Sequence, residues 1–113
     1  MYAAVFEMTS WRNPVQYLVQ GETPADLLDE FEQVQSLRCL VRMGRGVEKK
    51  AEGRRALELL EDILYKRDMD MLTAEDLLAL DIKLSLGDIR CAAVMKGEDA
   101  AAKLAAKYPN ARR

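Results

Sequence analysis

The chain has 113 residues, half of them hydrophobic and about a third charged, which suits one globular domain with its own core and excludes a disordered segment. Seventeen basic residues against nineteen acidic ones leave a net charge of −2, too balanced to require a polyanionic partner from bulk charge. Histidine is absent, which removes the commonest general base and the commonest metal ligand.

The opening twenty residues predict two short strands. Tyr2, Ala4, Phe6 and Met8 fall on one face and Ala3, Val5 and Glu7 on the other. After Thr9–Pro14, where Asn13-Pro14 signals a turn, Val15, Tyr17 and Val19 alternate with Gln16, Leu18 and Gln20. A β-hairpin is the economical reading, and its apolar face must pack on something, because a lone hairpin is marginal in water. The start at Met1–Glu7 has no basic residue and its apolar run is interrupted by Glu7, so no secretory signal is expected. No apolar run approaches the ~18 residues a membrane span needs.

Helices are expected next. Thr23 reads as an N-cap, Pro24 as the first helical residue and Asp26 as the acidic third position of a capping box. Leu27, Leu28, Phe31, Val34, Leu37 and Val41 then recur at helical spacing, so one helix is expected as far as Met43, stopped by Gly44 and Gly46. A rival reading makes 36–43 a third strand beside the hairpin, because Leu37, Cys39, Val41 and Met43 also alternate with Arg38 and Arg42. Periodicity is weak up to Gly53. It returns with Ala56, Leu57, Leu60, Ile63 and Leu64, with Lys66 and Arg67 in the last turn, where cations complement the dipole.

Thr73 is a second capping candidate, with Leu72 and Leu77 placed for a hydrophobic staple. Leu77, Leu78, Leu80, Ile82, Leu84 and Leu86 predict a very apolar, central helix, and 88–95 a short helical piece. Glu98-Asp99 begins a final alanine-rich helix that stops before Pro109. The fold class expected is α+β: an N-terminal β-hairpin packed on a bundle of four to five helices, as one compact domain over 1–109 with a frayed tail at 110–113.

Neither Cys39 and Cys91 nor the serines form a recognisable reactive centre. The two cysteines are too few for a thiolate zinc site and are read as buried, reduced thiols of a cytoplasmic protein. No serine lies in a G-x-S-x-G context, and Gly44-Arg45-Gly46 lacks phosphate-loop spacing. Asp29, Glu30 and Glu32 read as the wet face of the first helix. No catalytic residue, metal or cofactor is expected, and a non-enzymatic protein is the reading that follows.

Charge is unevenly distributed. Glu22–Glu32 holds five acids and no base, whereas Arg38–Arg55 holds seven bases against Glu48 and Glu52. Arg42, Arg45, Lys49, Lys50, Arg54 and Arg55 are candidates for contact with nucleic-acid phosphate or an acidic protein surface. The alternative is that acidic and basic stretches face each other across a helical hairpin. Trp11, beside Arg12 in the hairpin connection, is either a partner anchor or a ring folded over the hairpin edge. Met69, Met71 and Leu72 read as core filling or as an adaptable contact strip. The leading functional expectation is a protein–protein interaction module (an adaptor, assembly chaperone or inhibitor, self-association included). The alternative is a nucleic-acid-binding regulator, or a protein acting on a nucleic-acid-handling complex, using the basic segment 38–55.

Overall fold

A computed structural model describes residues 1–9, 14–34, 37–46, 51–84 and 87–113. In chain order it contains β1 (Tyr2–Thr9), β2 (Pro14–Gly21), α1 (Pro24–Val34), α2 (Leu37–Gly44), α3 (Ala51–Asp68), α4 (Ala74–Leu78), β3 (Asp81–Leu84), β4 (Gly87–Lys96) and α5 (Ala100–Lys107). The strands form one antiparallel sheet in the order β2-β1-β4-β3. The expected hairpin is therefore half of a larger sheet, and β1 lies inside it.

Each face of the sheet is covered. Ala4 and Phe6 of β1, Val19 of β2, Ile82 and Leu84 of β3 and Ile89 and Cys91 of β4 pack against Leu27, Leu28, Phe31, Leu37, Leu60, Ile63 and Leu77 of α1 to α4. Phe6 and Phe31 stack with ring centroids 4.4 Å apart, and Tyr17 meets Phe31 edge-on at 6.5 Å. On the other face Ala3, Val5 and Leu18 bury Ala100 and Leu104 of α5. The period-two alternation of β1 thus sends its residues into two cores. A β-bulge lets β4 do the same: Val5 pairs with Ala93 but Phe6 with Cys91, leaving Ala92 as the extra residue. The slip keeps Ile89, Cys91 and Val94 on the α1–α4 side, while Ala92, Ala93 and Met95 join α5.

Local signals set several element ends. The Thr23 hydroxyl accepts from the Asp26 amide at 3.2 Å, and the Asp26 carboxylate accepts from the Thr23 and Glu22 amides at 3.1 and 3.0 Å. The capping box read from the sequence is therefore formed. Gly44 lets α2 close on the core, since a Cβ there would stand 3.2 Å from Leu57 Cδ1.

Four expectations are corrected. The apolar run after Leu77 is a single short helix and then β3, because Leu80, Ile82 and Leu84 are buried at period two while Asp81 and Lys83 are exposed. The piece at 88–95 belongs to β4, which supplies the second neighbour of β1. The third strand expected at 36–43 is not formed in its described part, which is helical from Leu37 to Gly44. The long helix expected from Pro24 to Met43 is two elements, α1 ending at Val34 and α2 starting at Leu37, with Gln35 and Ser36 outside the described residues. In addition Gly53 lies within α3 and does not precede it. At the chain's far end Arg112 is tied down: its amide donates to Gln16 at 2.8 Å and its carbonyl accepts from the Leu18 amide at 2.7 Å, bridging Tyr17 in parallel.

Candidate protein-interaction surface

The junction of α3 and α4 is built by short-range rules. The turn that closes α3 contains Asp70, which adopts a left-handed φ of 57°. The Met71 amide donates to the Lys66 carbonyl at 2.7 Å and the Asp70 amide to Arg67 at 3.2 Å, the paired closure that usually places glycine in this conformation. The chain reverses at once. Leu72 turns inward while Met69 and Met71 on either side of Asp70 stay 55% and 60% exposed.

Thr73 then caps α4. Its hydroxyl accepts from the Asp76 amide at 3.2 Å and its amide donates to the Asp76 carboxylate at 3.0 Å. Leu72 and Leu77 are both buried in the core, as a staple requires. The Asp76 carboxylate also accepts from Lys66 Nζ at 2.8 Å, and Lys66 lies 3.3 Å from Asp62. The Lys66 hydrogen bond and then the Thr73 amide hold the Asp76 carboxyl below the usual carboxylate range. Asp76 and then Asp62 raise Lys66. These bonds tie α3 to α4 at the turn.

The opposite flank of α3 is fixed by Arg67, a buried guanidinium held by Glu32, by Asp29 at 3.3 Å and by Asp68 at 3.6 Å. Burial alone would lower it, but the Glu32 hydrogen bond and the charges of Glu32, Asp29 and Asp68 outweigh burial and raise it. Asp29 and Glu32 are thus partners of α3 and not merely a wet face.

On this braced junction the apolar side chains point outward. Seven large apolar side chains are exposed among the described residues, and four of them (Tyr65, Met69, Met71 and Leu78) fall within the stretch 65–78 that carries this junction. Core filling does not apply to Met69 and Met71; Leu72 alone of that trio goes into the core. Tyr65 is not among the contact residues expected from the sequence, and Leu78, expected in a central apolar helix, is exposed instead. The available signal was that Tyr65 on α3 and Met69 just past its end stand four apart, off the buried line of Leu57, Leu60, Ile63 and Arg67.

Of the basic candidates, Arg42 lies on α2, Arg45 just beyond its end, and Arg54 and Arg55 on α3. Arg45 reaches Glu61 of α3 at 3.3 Å, and the neighbouring Arg38 reaches Asp68 at 3.7 Å. Arg42 on α2 and Arg54 and Arg55 on α3 are exposed and make no ion pair among the described residues. Arg55 lines a groove of ≈ 350 Å³ with Glu52, Ala56, Leu59, Asp81 and Lys83, so acids accompany it. Trp11, Lys49 and Lys50 lie outside the described residues. Among the described residues Asp29 and Glu32 of α1 pair with Arg67, and no ion pair joins them to the basic segment.

Cys91 is buried, and burial pushes its thiol up to about 12, so it is protonated at neutral pH. Cys39, expected to be buried, is exposed on α2 with its thiol 3.6 Å from Met43 Sδ. Among the described residues no three His, Cys, Asp or Glu side chains are grouped to hold a metal ion, and no helix is long and apolar enough to cross a membrane. No family model, curated protein or solved structure matches the chain.

Proposed function

We propose that this is a non-enzymatic, cytoplasmic protein–protein interaction module that binds a partner protein through Tyr65, Met69, Met71 and Leu78. The observation that carries the reading is the concentration of exposed apolar side chains on a junction fixed by two helix-end motifs and the Lys66–Asp76 pair. A rigid frame lowers the ordering cost of binding, and methionine adapts its shape to what it meets. A peptide-display selection against the protein, counter-selected on the M69E/M71E double variant, tests this. Enriched apolar sequences that lose roughly ten-fold or more in affinity for the double variant are expected. Absence of any enriched sequence that depends on the two methionines would overturn it.

The nucleic-acid reading keeps a narrower basis in Arg42, Arg54 and Arg55, which are exposed without an ion pair among the described residues. It predicts salt-dependent binding that weakens when Lys49, Lys50, Arg54 and Arg55 are replaced by glutamine. Unchanged affinity after those replacements ends it.

A further inference from the structure

The outer edge of β2 carries a backbone pattern independent of the apolar junction. Both hydrogen bonds to Arg112 come from even-numbered positions, the Leu18 amide and the Gln16 carbonyl. In a strand the N–H and C=O of one residue point to the same side. The Leu18 carbonyl and both backbone groups of Gln20 therefore face the same outer edge, one step further along. A groove of ≈ 500 Å³ follows that edge, lined by Tyr17, Val19, Gln20, Arg112 and, from α1, Glu30 and Val34. Val34 is 43% exposed there.

The segment Ala111–Arg113 displays what this edge accepts. It lies parallel to β2, puts Ala111 against the α5 core cluster, and pairs Arg112 with Tyr17 in the groove that also holds Glu30. We propose that the β2 edge is a strand-addition site for an extended peptide running parallel to β2, and that Ala111–Arg113 occupies its first half as a competing internal ligand. The pattern it accepts is a small residue, a basic residue, any residue, then an apolar one. The small residue takes the place of Ala111 on the α5 side. The basic residue pairs with Tyr17 near Glu30. Alternation returns the fourth residue to the α1 side, opposite Val19 and beside Val34. That residue donates to the Leu18 carbonyl and accepts from the Gln20 amide, two hydrogen bonds that Arg112 does not make.

The probe is a synthetic peptide of residues 108–113 followed by valine and threonine, titrated into isotope-labelled protein and followed by amide chemical shifts. Three proteins are compared: the full chain, the chain lacking 110–113, and the full-length Arg112→Pro variant. The proline removes the donor to Gln16 without removing Ala111 from its core, so it serves if the shortened chain does not fold. Saturable shifts at Leu18 and Gln20 are expected in both altered chains. Two added hydrogen bonds correspond to roughly ten-fold tighter binding than in the full chain, where the internal segment competes. A peptide N-methylated at the arginine opposite Tyr17 should lose about as much. Unmoved Leu18 and Gln20 amides in both altered chains, or equal binding of the methylated peptide, would overturn the site. Equal affinity of the full and altered chains would overturn the internal competition.

Discussion

A Cβ placed on Gly21 would stand 2.4 Å from Asp26 Cβ, so the last residue of β2 and the capping carboxylate of α1 share space that only a glycine leaves open. Gly21→Ala must push away the first turn of α1, because the neighbouring atoms include the Asp26 backbone at 3.3 Å. Loss of the cap and the added strain together cost about 2–3 kcal/mol. Chemical denaturation checks this, with Gly46→Ala as the control. Among the described residues a Cβ at Gly46 meets only the Met43 carbonyl at 3.4 Å, and its cost should stay under about 1 kcal/mol.

Arg67 is the buried cation that joins α1 to α3. Arg67→Met leaves Glu32, itself largely covered, without its partner, and should destabilise the fold by about 2–4 kcal/mol. Adding Glu32→Gln to that variant should recover part of the loss, because the stranded charge is then gone. Urea unfolding of the two single variants and the double variant measures the coupling. Full additivity would show that the pair does not act as a unit.

Asp70 holds a left-handed backbone that glycine adopts without strain. Asp70→Gly should therefore stabilise the protein by about 0.5–1 kcal/mol, offset in part by the greater freedom of glycine in the unfolded chain. A loss of stability instead would mean that the Asp70 carboxylate does work at the junction beyond closing α3. Binding through Met69 and Met71 should survive the change.

Asp76 makes the junction sensitive to acid. Its folded-state pKa lies below the ordinary 3.8, so its contribution is present above that value and is lost as pH falls through the lower folded one. Lys66 is raised above 10.5, so its share is present below that value and is lost as pH rises through the higher folded one. Melting temperatures of wild type and Asp76→Asn should differ by a constant gap from about pH 5 to about pH 9 and converge below about pH 4. A gap that persists in acid would show that the charge of Asp76 is not what matters.

Cys91 should resist alkylation. In a Cys39→Ala variant at about pH 8, a thiol reagent should react only as fast as the protein opens, and at once in guanidinium chloride. Fast reaction of the native variant would contradict the burial of β4 beneath α1–α4.

What could be read from the sequence was mostly what is decided locally. The alternation of β1 and β2 and the caps Thr23–Asp26 and Thr73–Asp76 involve neighbours a few residues apart, and each is formed as expected. The strand β3 is hard to read because apolar residues at 77, 78, 80, 82 and 84 fit a helix as well as a strand. What decides is the sheet itself: β3 pairs with β4, and β4 with β1, far away in the sequence.

The same division holds at the candidate site. Met69 and Met71 were visible as residues, but their exposure depends on the reversal at Asp70, which no glycine announces. Arg67 looked like one more cation at a helix end. Its burial depends on α1 bringing Asp29 and Glu32 alongside.

The sheet order also sets a timetable. β1 is synthesised well before its inner neighbour β4, to which it pairs Tyr2 with Lys96 and Thr9 with Asp88. While the intervening helices are being made, β1 has β2 on one side and an open row of amides and carbonyls on the other. The nascent sheet is therefore open to wrong pairing at β1 until β4 arrives to close it.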